Sequence, residues 1–222
     1  PGCVFCAENG SRARHLARHL DLACQVARGV AYVRERYRSE GPYIAYFQSF
    51  TSTHAPVARL RECFEAALAR ADFKVVIVGT RPDALEPEKI EYLRELAHRY
   101  ELWVELGVQS ANDETLRRIK RGHDFAAVED AARRLDAAGI NCACHVILGL
   151  PGEGPDDFLA TARRIAKLPF RAVKLHQLLV LKHTELAKHW QDELAVKPLN
   201  EYEYAAAAAA FLRELPDSWS IM

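Results

Sequence analysis

Residues 102–110 read LWVELGVQS. This is a short apolar run rich in strand-forming residues, closed by a polar pair. In an extended strand, side chains alternate between two faces, so Glu105, Gly107 and Gln109 share one face. A strand covered on both faces is nearly all apolar. A carboxylate beside a glycine therefore marks that face as one with space and polarity, open to a ligand or another backbone.

Four further runs of the same kind flank it: Tyr43–Phe47 (YIAYF), Phe73–Val78 (FKVVIV), Ile140–Leu148 (INCACHVIL) and Ala172–Leu175 (AVKL). Their starts lie roughly 29 to 38 residues apart, the span of one strand–helix unit. Helical patterns fall between them, at about 14–38, 55–71, 87–99, 112–121, 124–138, 156–168 and 201–214. Pro87 stands at a first-turn position, Asn112–Asp113 supplies an N-terminal signal, and Gly139 is a candidate C-terminal stop. Strands alternating with helices in this way predict an α/β chain with a parallel sheet. Two architectures fit: a doubly wound open sheet, and a barrel or partial barrel. Both place chemistry at the C-terminal ends of the strands. There lie Gln48–Ser49, Gly79–Thr80–Arg81–Pro82, Gln109–Ser110 and Gly149–Leu150–Pro151–Gly152–Glu153. His145 shares a face with Ala143 and Ile147, and Lys174 with His176. Such groups either line a polar interior from several strands or pair with one another as buried ions.

The chain has 222 residues, half of them apolar, with 30 Lys+Arg against 30 Asp+Glu. That balance argues against a globally electrostatic nucleic-acid or membrane binder, while leaving room for a local basic patch. No apolar run reaches the ~18 residues of a membrane span. Six cysteines in a chain of this length do not read as a secreted disulfide scaffold, so the expectation is a reducing, cytoplasmic compartment. The chain starts Pro-Gly-Cys and its single Met is the last residue, Met222, so the reading is an internal segment of a longer chain.

Cys3-Val4-Phe5-Cys6 is a C-x-x-C pair. Two thiolates at that spacing can bind one metal from a single turn, form a redox disulfide, or supply part of an iron–sulfur ligand set. The other cysteines, Cys24, Cys63, Cys142 and Cys144, form no second such pair and read as structural.

Taken together, CVFC, YIAYFQSFTSTHAP (43–56), VGTRPDAL (78–85), ELGVQSANDETLRRIKRGHD (105–124), HVILGLPGEGPDD (145–157) and VKLHQLLVLKHTELAK (173–188) resemble the radical SAM superfamily. The pattern is most similar to its YhcC-like branch, related to the elongator-type barrel. The resemblance implies a partial (β/α)6 barrel, here lacking its first strand, as one core domain over 1–222. It implies a [4Fe–4S] cluster and S-adenosylmethionine, cleaved reductively to a 5′-deoxyadenosyl radical.

Residue by residue, Cys3 and Cys6 match the last two cluster cysteines, and Phe5 an aromatic position near the adenine. Gln48 and Ser49 begin the loop where the superfamily carries Gly-Gly-Glu, a motif this chain lacks. Thr80 ends the third strand. Gln109 and Arg121 match positions that contact the ribose or the carboxylate of the cofactor. Gly149, Leu150 and Pro151 match the loop passing the adenine, while Glu105, His145 and His176 face the interior. The first cluster cysteine is expected upstream of Pro1.

The implied partners are a one-electron donor such as flavodoxin or ferredoxin and an unknown substrate; analogy with the tRNA-modifying relative points to RNA, whose phosphates the basic runs Arg12–His19 and Arg117–Arg121 could meet, while the competing and favoured reading of those runs is two solvated helix faces. The alternatives are a zinc- or metal-binding barrel module without catalysis, and a plain α/β scaffold. In those readings Arg121 is a solvated surface residue, Gln109 a strand-end cap, and the two histidines satisfied core residues.

Overall fold

The computed structural model describes residues 2–6, 21–189 and 196–222. Helix α1 (Leu22–Tyr37) leads into β1 (Tyr43–Phe47), α2 (Val57–Leu68) and β2 (Phe73–Thr80). A 3-10 turn (Pro82–Ala84) precedes α3 (Pro87–Ala97), β3 (Glu101–Gln109), α4 (Asp113–Arg118) and α5 (Phe125–Ala137). Then follow β4 (Asn141–Leu148), α6 (Pro155–Ile165), β5 (Ala172–Gln177), α7 (Glu185–His189), α8 (Glu201–Leu212) and β6 (Ser220–Ile221).

The helix starts are built by local chemistry. Asp21 caps α1 by accepting from the Cys24 amide at 2.7 Å, and Asn112 caps α4 through the Glu114 amide at 3.0 Å. Asp124 caps α5, Asn200 and Glu203 form a capping box on α8, and Pro87 occupies the first turn of α3. Gly139 closes the segment after α5 with φ +72°, a left-handed conformation that glycine adopts without strain.

All strand pairs are parallel, and the sheet order is β1-β2-β3-β4-β5-β6. A doubly wound sheet reverses its strand order at a switch point; this one never does, so the barrel-type reading holds. Right-handed crossovers running one way put every connecting helix on one face. Val76, Val78, Val104, Leu106, Val108, Cys142, Cys144 and Val146 point into that helix layer and form the core with Leu93, Leu96, Val128 and Leu135. Each large aliphatic side chain buried there contributes about 1.5–3 kcal/mol.

The other face is concave. Tyr46 on β1 and Lys174 on β5 touch, with Lys174 Nζ donating to the Tyr46 hydroxyl at 3.1 Å. In a flat sheet those strands would stand roughly 19 Å apart, four spacings of about 4.8 Å. Two side chains of about 6 Å reach cannot close that gap, so the sheet curls into a partial barrel. Strand β6 was not signalled by the alternation. It is two residues long and pairs with β5 at Ala172↔Ser220 and Val173↔Ile221.

Candidate functional site

Paired residues in a parallel sheet share a face, so the register assigns the concave side directly. It carries Tyr46 and Ile77, then Gly79, Glu105 and Ala143, then Gly107, His145 and Lys174, then Ile147 and His176. Glu105, fully buried, is its hub. Its carboxylate accepts from Lys174 Nζ at 2.9 Å and from the Tyr46 hydroxyl. His145 Nε2 stands 2.6 Å from it, within contact but outside hydrogen-bond angles. Burial alone would raise the Glu105 pKa; His145, Tyr46 and Lys174 outweigh it and hold the group at about 2. Burial, then the same carboxylate, pushes the Tyr46 hydroxyl up. The His176 ring sits 5.3 Å from that of His145, open to solvent at the mouth. Desolvation within the concavity, then the neighbouring His145 and Lys174, brings its pKa down to about 4.

Above this face lies the Cys3–Cys6 turn, closed by the Cys6 amide donating to the Cys3 carbonyl at 2.9 Å. Its middle is pinned on both sides. The Val4 amide donates to the Ile119 carbonyl at 3.1 Å, just past α4, and the Val4 carbonyl accepts from the Leu186 amide of α7 at 2.8 Å. Lys120 and Glu185 pair across the same two segments. Both cysteines are free thiols, Cys3 buried and Cys6 exposed. A hydrogen bond from Cys6, against the opposing effect of burial, and the charge of Arg121 bring the Cys3 pKa down to about 5; the same bond pushes the Cys6 thiol up. Phe5 is half-buried and packs on the core.

Arg121 is 7 % exposed, so the solvated-surface reading does not hold. It donates to the Gly107 carbonyl through Nε at 3.2 Å and Nη2 at 2.5 Å, and to Cys3 Sγ through Nη1 at 3.5 Å. Gln109 closes β3 with φ +72° and a register shift against β4, a strained conformation for a residue with a side chain. Its amide nevertheless reaches back over Gly107, 2.8 Å from where a Cβ there would stand.

The remaining sequence candidates divide. Gln48 and Ser49 open a loop that crosses β2 at Gly79, where a Cβ would stand 3.3 Å from the Phe47 carbonyl. Gly149 turns the chain after β4 with φ +87°, Leu150 is buried, and the Pro151 carbonyl accepts from Arg118 Nη1 at 3.1 Å. Ser110, just past β3, donates to Glu153, which ties this loop to the end of β3. Thr80 points to the helix side, where its hydroxyl meets Thr53 at 2.5 Å. Alternation with Val76 and Val78 is the signal that separates it from the concave residues. Tyr46, which the sequence reading did not single out, belongs to the concave cluster; the alternation in YIAYF contains that signal.

Cys142 and Cys144 face the helices, fully buried, with their thiols pushed up by desolvation. Among the described residues no group of three or more His, Cys, Asp or Glu is arranged to hold a metal. The basic run 12–19 lies outside the described residues. In 117–121, Arg118 is engaged by Glu114 and Pro151, Lys120 by Glu185, and Arg121 by Gly107 and Cys3.

Comparison with known proteins adds an independent finding. A family model described as the radical SAM superfamily matches residues 2–165, and one described as the Radical_SAM C-terminal domain matches residues 170–222. The chain is 40 % identical over 190 residues to the uncharacterized protein YtqA of Bacillus subtilis, covering 86 % of this chain and 59 % of that protein. It is 36 % identical over 216 residues to protein YhcC of Escherichia coli, covering 97 % of this chain and 68 % of that one. Among solved structures, Elp3 of the archaeon Methanocaldococcus infernus superposes with a TM-score of 0.79 at 20 % identity, over 91 % of this chain and 52 % of that one; at that identity the likeness is one of fold.

Proposed function

The chain belongs to the radical SAM superfamily, and from that membership we propose that it is the core of an enzyme that holds a [4Fe–4S] cluster and S-adenosylmethionine and acts on a substrate within its concave face. The observation that carries this reading is the Cys3–Cys6 turn set beside a buried guanidinium. The donor chemistry fits: one thiol is already favoured as thiolate, and a fixed cation offsets its charge. Cys3 and Cys6 are the proposed cluster ligands among this chain's own residues. When bound, the reduced cluster and S-adenosylmethionine together supply a 5′-deoxyadenosyl radical that abstracts a hydrogen atom from the substrate.

The chain's own residues do the positioning. A guanidinium has five N–H donors, and Arg121 commits three of them to Gly107 and Cys3, which leaves two for a carboxylate. Gln109 presents an amide at the strand end, and the Gly149–Pro151 turn would offer its backbone to the adenine. The concave face excludes bulk water from Glu105 while leaving His176 and an edge of Lys174 for substrate. The electron comes from a one-electron donor of the flavodoxin or ferredoxin class in the cytoplasm.

The test uses the full-length protein, reconstituted anaerobically with iron and sulfide, reduced, and examined by EPR with and without S-adenosylmethionine. A [4Fe–4S]⁺ signal that shifts with the cofactor, together with released 5′-deoxyadenosine, is the expected result. Cys3→Ala and Cys6→Ala should each lose iron. A protein that binds no cluster, or a cluster blind to the cofactor, returns the function to a metal-binding module or a scaffold.

A further inference from the structure

The buried guanidinium of Arg121 is held in place more firmly than a surface-loop arginine would be. The two residues around it are both left-handed, Lys120 at φ +55° and Gly122 at φ +80°, and they turn the chain inward after α4. The Arg121 amide itself donates to the Leu116 carbonyl at 2.9 Å, closing the end of that helix. The side chain then runs beneath the sheet end, with two N–H groups on the Gly107 carbonyl and one on the Cys3 sulfur. Position 107 must be glycine for this seat: a Cβ there would collide with Arg121 Nη2 and stand 3.4 Å from its Cζ. The Val4–Ile119 backbone bond ties the sulfur's own turn to the same segment, which fixes donor and acceptor in one frame.

Resting on the reading above, we propose that Arg121 is a built-in N–H···S donor to the Cys3 ligand, and that the glycine at 107 serves to seat it there and so raise the cluster's reduction potential. Iron–sulfur potentials respond to net charge, hydrogen bonds to sulfur and solvent access. One-electron reduction adds negative charge to the cluster. The electron comes from the external low-potential donor, and no proton moves, because a guanidinium stays charged throughout. A cation and a donor fixed at a ligand sulfur therefore stabilise the reduced form. Arg81 provides an internal control. It lies near enough to act on Cys3 by charge, yet the hydrogen bonds it makes through Nε and Nη2 go to Asp83, at 2.8 and 2.6 Å, and not to the sulfur.

The experiment is an EPR-monitored redox titration of the reconstituted full-length protein without S-adenosylmethionine, so that any carboxylate contact of Arg121 is out of play. Arg121→Met should make reduction about tenfold less favourable, a fall of about 59 mV for one electron. Gly107→Ala leaves the charge of the chain untouched and displaces the guanidinium; it should lower the potential in the same direction. Arg81→Gln should move it least. If Arg121→Met fails to hold iron, Arg121→Lys, which keeps the charge and loses the fork, takes its place with the same sign expected. Wild-type potential in both the Arg121 and Gly107 variants overturns the inference. So does an Arg81→Gln shift as large as that of Arg121→Met, since distant charge rather than the sulfur contact would then set the potential. A wild-type protein that assembles no cluster overturns instead the function on which the inference rests.

Discussion

Glu105 and Leu106 are neighbours on β3, and they live in different solvents. Leu106 enters the helix layer, fully buried among Val78, Val104 and Cys144 and their like. Glu105 enters the concave face and is no less buried, yet it is surrounded by Tyr46, His145 and Lys174. The same alternation separates Cys144 from His145 on β4 and Val173 from Lys174 on β5. The helix side is packed as a core is packed. The concave side carries an ion cluster where apolar residues would serve stability as well or better, since buried ion pairs are frequently neutral or costly against apolar replacements. The difference separates what holds the sheet from what the sheet is for.

Truncation on the helix side sharpens that division most. Leu106→Ala removes buried aliphatic volume where neighbours cannot collapse, and should cost about 2–5 kcal/mol of unfolding free energy in urea. On the proposed function, the folded fraction should take up as much iron as wild type under the same reconstitution. A loss of iron in protein shown to be folded would break the division, because it would mean that the helix side also shapes the Cys3–Cys6 turn.

The next largest effect belongs to Glu105. Glu105→Gln keeps the shape and leaves Lys174 without its counter-charge, at a cost of about 1–3 kcal/mol at neutral pH. The acid limb carries the sharper information. The folded pKa is lowered to about 2 from an ordinary 4.5, so the folded state binds fewer protons than the unfolded between those values. The stabilisation is complete above about 4.5 and is lost as pH falls toward 2. Wild type and variant should therefore converge in stability across that window. Parallel curves from pH 7 to 2 would show Glu105 to be a packing residue and remove the contrast with Leu106.

The legibility of the chain follows the same division. The five long strands and the helices between them are readable because each must bury one face, and burial writes a period into the sequence. Thus Phe73–Val78 predicts β2, extended by two residues in the structure, and 124–138 predicts α5 at Phe125–Ala137. Strand β6 and helix α7 are too short to carry a period, and the choice between barrel and doubly wound sheet depends on strand order, which no single strand encodes. The polar residues of the concave face stand out against apolar strands, so Glu105, His145, Lys174 and His176 are visible in the sequence. Tyr46 does not stand out in that way, since a tyrosine in a strand is ordinary, and only the alternation of its strand places it on that face. The Arg121–Gly107–Cys3 line joins residues 118 positions apart at its ends, through two left-handed residues and a backbone carbonyl, and none of those contacts has a sequence period.

The smallest expected effect falls on His176, and it tests the wet end of the concave face. Its folded pKa of about 4 lies below the ordinary 6.5, so between those values the unfolded chain binds the proton and the folded chain resists it. The folded state therefore carries no penalty from this ring above 6.5, loses stability as pH falls from 6.5 to 4, and loses no more below that. His176→Gln has no proton to resist, and its stability relative to wild type should rise through that window while the two agree at pH 8. Because the ring is open to solvent, the change should be well below that of Glu105→Gln. Urea titrations at pH 8, 6, 5 and 4 read it directly. A difference that stays flat would mean that water screens His176 from Lys174 and His145, and that the polar hub ends at Glu105. A difference that rises as expected means that the same desolvated field extends from the buried carboxylate to the mouth of the concave face.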